Sequence, residues 1–446
     1  MEINNKNLDR TQLRYKLGNK KFSVDISPDK IDIASKIASS NGKSENFLIS
    51  DKKLKDFLTK QHILKDPSTC KVDTQKILKD FKISLQGQPL PQRDAYHSYE
   101  QVIGELKGLE AKYPDLVKTV SLGKTAEGRD IMAVKISKGA VGDTGNKPGM
   151  LITGCHHARE WMAMEAPLTI AKNLAEGYSS DEKVKNRVDN AEIWVVPLVN
   201  PDGYEYSRTK DPFWRKNRDP IHKEEIPPEI AKQMKADKNG IVAYGVDPNR
   251  NYYDGNPDHM ELYRPAGDTP ESTWDDFGYA TSDNPKQETY RGPKGGSEKE
   301  VQAMLGLWLN RKNIKGIVNH HAYGNKIMYP WGVTQEHVAN EKLYQEISDK
   351  MQNATKEDRY NVEQSSGMYP ASGDPDDFAQ ANGRLSFTIE LGDSFQPEPS
   401  EMAHISRDVY NANMAFLDWM IDNKETLNRL EEQKIPSKNN IPEITI

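Results

Sequence analysis

The stretch TGCHHAREWMAMEAP, residues 153–167, brings together several side chains that could bind a metal ion. His157 and Glu160 are three residues apart, so in a helical turn their side chains project from the same side. An imidazole nitrogen and a carboxylate oxygen are two of the three protein ligands that a catalytic zinc ion uses. The fourth position is left for water. A His-x-x-Glu pair alone is a weak indication, because the same spacing occurs on many solvated helix faces.

A third ligand could come from a distant histidine doublet. The run VNHHAYGNKIMYPWG, residues 318–332, places His320 and His321 near the end of another apolar segment. A second doublet, His156 and His157, adjoins Glu160, and the choice within each doublet is a real question. The spacing to Glu160 favours His157. We expect the remaining histidine of each doublet to pack or to support a ligand, since three ligands suffice.

An ordered set of motifs resembles the pancreatic-type zinc carboxypeptidases, that is, the carboxypeptidase A/B type. The resemblance covers about residues 96–422 and implies a zinc-dependent exopeptidase that removes the C-terminal residue of peptides or proteins. The motifs in chain order are AREW (158–161), NPDGY (200–204), FWRK (213–216), GVDPNRNY (245–252), HAYG (321–324) and FTIEL (387–391).

The resemblance assigns one zinc ion per chain to His157, Glu160 and His321, and two catalytic groups beside it. Glu390, at the end of RLSFTIEL, matches the general base that takes a proton from the metal-activated water. An acid after a mostly apolar run needs a partner or a function to offset the cost of its burial. Arg215 resembles the residue that stabilises the developing oxyanion, often the largest catalytic contribution.

The resemblance also implies a set of substrate contacts. Asn249 and Arg250 match the pair that grips the terminal carboxylate, and a guanidinium suits a carboxylate because two parallel hydrogen bonds fit it. Tyr369 matches a mobile tyrosine that closes over the substrate. Arg159 and Tyr323 are expected to be further contacts.

The expected residue preference depends on Asp376. Counting from Tyr369 places Asp376 where relatives that prefer basic residues carry an acid, which predicts C-terminal Lys or Arg as the favoured residue. Other acids crowd the stretch, so a shift of one residue in register would change this prediction. An apolar or dual preference stays open, because three other side chains could line the same pocket: Met328, Met368 and Ala371.

The elements that would position these side chains read as an α/β fold. Apolar runs separated by amphipathic segments predict a mixed, largely parallel twisted sheet with helices on both faces. The ligand site of such a sheet lies beyond the carboxyl ends of its strands, which agrees with the candidate residues. The strand-like runs are 129–137, 149–153, 192–199, 314–319 and 384–391, and the amphipathic segments are 161–177, 297–311, 337–354 and 400–422.

Three regions are expected along the chain: residues 1–93, a catalytic domain at 94–425 and a polar tail at 426–446. The first is predicted to be a small α+β or extended segment. It carries 19 Lys and Arg against 11 Asp and Glu, a net +8, whereas the remainder carries −14. This asymmetry would help it to dock as an inhibitory pro-segment. An accessory extension is the alternative.

Composition limits the partners. The net charge of −6 gives no reason to expect nucleic acid, and no apolar run approaches the length of a membrane span. We expect peptide or protein C-termini as substrates and a monomer as the functional unit. The resemblance implies a secreted or extracellular protein, but the N-terminus has no signal-peptide pattern, which leaves a cytoplasmic protein open.

Two other functions compete with this prediction. The same hydrolase chemistry could act on bacterial cell-wall peptides, although the AREW, FWRK and NRN set fits ordinary peptide carboxylates better. A module that binds zinc or peptide without turnover would be expected to lack a metal ligand or the glutamate base, and both are present here.

Overall fold

The computed structural model describes residues 93–265, 280–356 and 360–432, together with four short strands nearer the N-terminus. These strands form two antiparallel pairs, β1 (Thr11–Leu17) with β2 (Lys20–Ile26), and β3 (Leu64–Asp66) with β4 (Lys71–Val72). Most of the predicted pro-segment, and residues 433–446 of the predicted tail, lie outside the described residues. The chain divides into two units, Met1–Leu90 with Thr209–Asp211, and Pro91–Arg208 with Pro212–Ile446.

An eight-stranded mixed sheet organises the second unit. Its strands are β5 (Val117–Lys124), β6 (Asp130–Ile136), β7 (Gly149–Gly154), β8 (Glu192–Val196), β11 (Ile314–His321), β12 (Lys326–Tyr329), β13 (Asn361–Gln364) and β14 (Leu385–Glu390). The order across the sheet is β13-β12-β14-β11-β7-β8-β6-β5, and the four central strands β14, β11, β7 and β8 are parallel. The predicted α/β class with a mixed, largely parallel sheet is therefore confirmed.

Eleven helices accompany the strands in the described part of the chain, and four of the five longest match the predicted amphipathic segments. The first helix begins with a capping box, in which the Ser98 side chain accepts from the Gln101 backbone nitrogen and the Gln101 side chain accepts from the Ser98 backbone nitrogen. The helices are α1 (Tyr99–Lys112), α2 (Met162–Gly177), α3 (Glu182–Asn190), α4 (Pro201–Thr209), α5 (Pro228–Ala231), α6 (Met260–Tyr263), α7 (Lys299–Asn310), α8 (Glu341–Ala354), α9 (Pro375–Ala381), α10 (Pro399–Asp422) and α11 (Lys424–Glu432).

The central strands β7, β8 and β11 are buried along their whole length. Their continuous apolar runs are typical of parallel strands covered on both faces, which is why the sequence pattern predicted them well. Within the described ranges, no helix is both long and apolar enough to span a membrane.

The structure differs from the sequence prediction at its margins. The edge strands β5 and β13 were not predicted, because partly exposed edge strands lack a continuous apolar run. The inner strand β12, which has only four residues, was not predicted either. The charged, proline-containing stretch between Arg218 and Tyr244 contains a short antiparallel pair, β9 (Pro220–His222) with β10 (Ile241–Tyr244), which the sequence pattern had not indicated. Helix α11 extends into the predicted polar tail as far as Glu432, and its residue Leu427 is buried.

Candidate metal centre

The first two candidate ligands lie on the connection between β7 and α2. Strand β7 ends at Gly154, where a Cβ atom would collide with the backbone oxygen of Ala163. Only glycine therefore allows the strand end to approach the start of the helix so closely. Cys155 follows with a left-handed φ of 55°, and the chain then turns through His157 and Glu160 before α2 begins.

Three side chains meet at this turn. The Nδ1 atom of His157 lies 2.7 Å from Oε1 of Glu160, and Nδ1 of His321, at the end of β11, lies 3.0 Å from Oε2 of Glu160. The two Nδ1 atoms are 3.1 Å apart. One ligand atom from each residue lies within 4.8 Å of the others, and all three residues are buried. The three predicted ligands are thus brought together.

Burial keeps both histidines uncharged at neutral pH. Desolvation, aided by the nearby Arg215 charge, lowers the pKa of His157 to about 4 and that of His321 to about 3. A neutral imidazole offers one nitrogen lone pair to a cation, which is the form that a metal ligand requires.

Asp247 supports this cluster from the side. Its Oδ1 atom lies 3.3 Å from Nε2 of His157, and its Oδ2 atom accepts a hydrogen bond from Nε of Arg215 at 2.9 Å. Burial acts to raise the pKa of Asp247, but the Arg215 charge outweighs it and holds the pKa well below its usual range. The carboxylate favours a proton on Nε2 of His157, which leaves Nδ1 free to bind a cation.

The other histidine of each doublet is engaged elsewhere. Nε2 of His156 lies 2.9 Å from the hydroxyl of Tyr252. His320 lies 2.8 Å from the Thr153 carbonyl through Nδ1 and 3.0 Å from Nδ2 of Asn413 through Nε2. Neither is a member of the three-residue cluster.

The cluster fits a zinc ion on the chemistry of its donors. Two imidazole nitrogens and a carboxylate are a common ligand set for catalytic zinc. The Nδ1 atoms of His157 and His321 are the nitrogens that converge on Glu160. Each ring would therefore contribute to the centre through Nδ1.

Arg215 is joined to the metal cluster by both its side chain and its backbone. Besides the bond to Asp247, its carbonyl oxygen accepts from the backbone nitrogen of Ala158, next to His157, at 2.8 Å. The guanidinium is buried, and its Nη2 atom has no hydrogen-bond partner among the described residues. Arg215 can therefore direct a positive charge and a spare donor towards an oxygen in the site.

The predicted carboxylate grip lies next to Asp247. Asn249 and Arg250 belong to a short 3₁₀ turn, Pro248–Arg250, in which Asp247 accepts from the backbone nitrogen of Asn249. Nε of Arg250 donates to the carbonyl of Ala280, and its guanidinium carbon lies 5.9 Å from the ring centre of Tyr369. The structure therefore brings the predicted tyrosine beside the predicted arginine.

Gly373 permits this arrangement. Its φ is +77°, and a Cβ there would collide with the Arg250 carbonyl group. The segment after Tyr369 can therefore pack directly on the backbone that carries Arg250.

Arg159 and Tyr323 meet through a residue that the sequence analysis missed. The Phe395 ring lies 4.3 Å from the guanidinium carbon of Arg159 and 5.1 Å from the Tyr323 ring centre. Nη1 of Arg159 also donates to Oε2 of Glu288 at 2.6 Å, and the Arg159 side chain is only 3% exposed. Arg159 is therefore already paired with an acid.

Glu390 is the last residue of β14 and pairs in register with His321 on the adjacent strand β11. The Leu391 backbone nitrogen donates to the His321 carbonyl at 2.8 Å, which fixes the two strand ends together. The predicted base therefore lies at the same edge of the sheet as a predicted metal ligand.

Asp376 is buried and fully engaged. Oδ1 accepts from Asn319 at 2.6 Å and from the Ser386 hydroxyl, and Oδ2 accepts from Thr388 at 2.7 Å. Burial, together with the neighbouring Asp374, raises its pKa to about 7. Thr388 and Ser386 lie on β14, so Asp376 is held against the strand that ends in Glu390.

Three contributors to the site were missed by the sequence analysis: Asp247, Glu288 and Phe395. Asp247 lies inside the quoted motif GVDPNRNY, two residues before Asn249, and an acid so close to a predicted arginine was a usable signal. Glu288 and Phe395 lie in loops without periodicity, and nothing local in the sequence marks them.

A mixed α/β sheet with a buried His–Glu–His cluster at the carboxyl ends of its parallel strands defines a candidate single-metal centre. The family model described as zinc carboxypeptidase matches residues 102–412 of this sequence. The chain therefore belongs to the zinc carboxypeptidase family, whose name implies zinc as the metal.

Similar curated proteins include both the A and the B type. The chain is 30% identical over 308 residues to carboxypeptidase A2 of Rattus norvegicus, an alignment that spans 68% of this chain and 63% of that relative's own length. It is 30% identical over 312 residues to carboxypeptidase B of Astacus astacus, covering 67% of this chain and 87% of the relative.

Solved structures agree on the fold. One similar structure is bovine thrombin-activatable fibrinolysis inhibitor in complex with tick carboxypeptidase inhibitor, with a TM-score of 0.58 and 26% identity over 74% of this chain and 99% of the other. The carboxypeptidase A of Helicoverpa armigera superposes with a TM-score of 0.62 at 20% identity, over 90% and 96% of the two chains.

Proposed function

We propose that this protein is a zinc-dependent exopeptidase that removes the C-terminal residue of peptides or proteins. The observation that carries the proposal is the buried cluster of His157, Glu160 and His321, which offers a zinc ligand set beside Arg215. We infer that these three residues hold one zinc ion. Bound zinc would supply a Lewis acid that polarises the scissile carbonyl and makes water more acidic.

Glu390 is proposed as the general base. Its place beside the end of β11 supports this role, because a base must lie within reach of the water from which it takes a proton. Glu390 would accept that proton and return it to the leaving amine. Arg215 would direct its guanidinium to the oxygen on which negative charge develops, and its pairing with Asp247 keeps it oriented before substrate binds.

Selection for a chain end is assigned to Asn249 and Arg250. A guanidinium that faces a terminal carboxylate forms a charge-assisted pair that an internal peptide bond cannot form, which separates an exopeptidase from an endopeptidase. Tyr369, beside Arg250, would cover the bound end. Tyr323 and Arg159 would contact residues further from the scissile bond.

A preference for C-terminal Lys or Arg is proposed through Asp376. The counted position supports it, and an acid can pair with a basic side chain. The three hydrogen bonds that Asp376 accepts work against it, since a substrate cation must compete for them. An apolar or dual preference is the second candidate, favoured by that engagement and by the similarity to A-type relatives.

The test compares blocked dipeptides that end in Arg and in Phe, each with and without a zinc chelator. We expect hydrolysis of both to require zinc and the Arg substrate to be cleaved faster. Clearly faster hydrolysis of the Phe substrate would contradict the role assigned to Asp376. Zinc binding without any hydrolysis would favour a binding module, and cleavage of cell-wall stem peptides alone would change the substrate class.

The matched variant is Glu390→Gln, which keeps the size of the side chain and removes its basicity. We expect it to retain one zinc ion per chain, measured by elemental analysis, and to lose at least about 100-fold in kcat. A variant that turns over at the unaltered rate would refute the role of Glu390.

We propose residues 1–93 as an inhibitory pro-segment, supported by their net +8 against −14 for the remainder. Limited proteolysis near Arg93 should raise peptidase activity. Unchanged activity after trimming would favour an accessory extension instead.

A further inference from the structure

Glu298 holds the loop that carries Arg215. It precedes helix α7 and is almost fully buried, and its own side chain makes no capping hydrogen bond to that helix. Its Oε2 atom instead accepts from Nδ2 of Asn217, two residues beyond Arg215, at 2.7 Å. Its Oε1 atom accepts from the hydroxyl of Ser297 at 2.6 Å.

Asn217 in turn binds the segment that leads to Asp247. Its backbone nitrogen donates to the carbonyl of Val246 at 3.0 Å, and its Oδ1 accepts from the backbone nitrogen of Val246 at 2.8 Å. The next residue is Asp247, which binds Nε of Arg215. A displacement of Asn217 would therefore shift both members of the Arg215–Asp247 pair.

A second contact to the same loop depends on a proton. The carboxyl group of Glu298 is also in contact with that of Asp219, four residues beyond Arg215. Two ionised carboxylates in contact repel each other, so this contact is favourable only while one of the two carries a proton. Desolvation by burial, with the Asp219 charge adding to it, raises the pKa of Glu298 to about 7, so Glu298 is the group that carries the proton.

We propose that Glu298, as a neutral carboxylic acid, is a positioning residue for Arg215, and that its ionisation as the pH rises releases the loop and lowers turnover. The proposal rests on the exopeptidase function. When Glu298 ionises, its contact with Asp219 becomes a repulsion between two negative charges, of which Glu298 is almost fully buried and Asp219 is partly buried. The hydrogen bond from Asn217 to Glu298 persists. Asp219, in the same loop, is then repelled by Glu298, so the loop is held less firmly.

The other charged groups around Glu298 do not supply a buried counterion in hydrogen-bond contact with it, as far as the described residues extend. Glu300, on α7, is also buried, and its Oε2 accepts from Asn217 at 3.2 Å. Burial and the Glu298 charge raise the pKa of Glu300 to about 8, so it adds negative charge only above that pH. The remaining titratable groups whose charges act on this cluster are Lys216, Lys299, Asp202, Glu225, Tyr263 and Tyr290.

The direction of the pH effect follows from the raised pKa. An unfolded glutamate titrates near about 4.3, whereas folded Glu298 titrates at about 7. Its contribution to stability is therefore complete below about pH 4.3 and is lost as the pH rises through about 7. Over this window the melting temperature should fall and Arg215 should be held less firmly in place.

The test uses the full-length zinc-loaded protein and Glu298→Gln, whose amide can donate to Asp219 and accept from Asn217 at every pH. We expect wild type to lose about tenfold in kcat between pH 6.5 and pH 8.5, with a smaller change in KM, because Arg215 acts on the developing charge. Glu298→Gln should keep most of its kcat over that range. Its melting temperature should also decline less with pH than that of wild type.

Asp219→Asn provides a second variant, since an asparagine can donate to an ionised Glu298. Its melting temperature and kcat should therefore also decline less between pH 6.5 and pH 8.5 than those of wild type, because the repulsion between two carboxylates is removed. The exposed Glu182→Gln on α3 is the matched control and should follow wild type. If the melting temperatures of Glu298→Gln and Asp219→Asn decline with pH as much as that of wild type, the shared proton is refuted. If the melting temperatures of the variants decline less but their kcat values decline as in wild type, the positioning role of Glu298 is refuted. A protein without turnover at any pH would refute the exopeptidase proposal. The melting curves would still test whether Glu298 and Asp219 share a proton, because they do not depend on activity.

Discussion

Replacing Asp247 with asparagine should weaken both the fold and the metal centre. Asp247 is fully buried, 2.9 Å from Nε of Arg215 and 3.3 Å from Nε2 of His157. The substituted amide would either direct a donor at the donor of Arg215 or leave the buried guanidinium without its counter-charge. Removing one partner of a buried ion pair costs about 3–5 kcal/mol. We expect a loss of that size in the free energy of unfolding of the metal-free protein.

The same substitution should lower metal affinity about 10- to 100-fold, the usual effect of removing a carboxylate that orients a ligating histidine. Urea unfolding of the metal-free protein measures the first effect, and competition with a chelator measures the second. Asp202→Asn is the matched control, because Asp202 is an equally buried partner of Arg129 at 2.7 Å. It should lose stability without losing metal affinity.

The stability deficit of Asp247→Asn should depend on pH. Because the Arg215 charge holds the pKa of Asp247 well below its unfolded value of about 3.9, its contribution is complete above about pH 4 and is lost as the pH falls through the lower folded pKa. The two proteins should therefore converge at strongly acidic pH. A variant within about 0.5 kcal/mol of wild type at pH 7, with metal affinity unchanged, would refute this account of the Asp247 contacts.

Three further substitutions test separate parts of the site. Gly154→Ala should destabilise the fold strongly or prevent soluble expression, since a Cβ would collide with Ala163, whereas Gly104→Ala, with open space around it, should be neutral or stabilising by about 0.5–1 kcal/mol in thermal melts. Glu288→Gln should free Arg159 and raise kcat/KM about threefold to tenfold for substrates with an acidic residue before the C-terminal one. Equal gains on neutral substrates would contradict that effect. Arg250→Lys should raise KM about tenfold while changing kcat little, because a lysine cannot form two parallel hydrogen bonds to a carboxylate; an unaltered KM would exclude Arg250 from the grip.

Much of the fold could be predicted from periodicity alone. The strands β7, β8, β11 and β14 are buried on both faces and therefore read as continuous apolar runs. Because the chain alternates strand and helix, their carboxyl ends share one edge of the sheet. For this reason the sequence pattern alone predicts that His157, His321 and Glu390 lie at one site.

Tertiary structure alone decided which partner each of these side chains has. His157 and His321 are 164 residues apart, and only the pairing of β11 beside β7 and β14 brings their rings together. The same holds for Arg159, whose pairing with Glu288 depends on a loop 129 residues away. Local sequence carries no signal for such contacts, because they depend on how separate elements pack.

Asp376 and Glu298 show most clearly the difference between what the sequence determines and what only the tertiary structure determines. Nothing in the sequence distinguishes either residue from other acids. The position of Asp376 relative to Tyr369 predicts a role for it, but it does not predict whether the carboxyl group carries a proton. Burial on the folded scaffold raises the pKa of each to about 7, because a charge removed from water and placed near another acid is costly. The sequence determined which groups can titrate, whereas only packing decided how far from its ordinary pKa each of them does so.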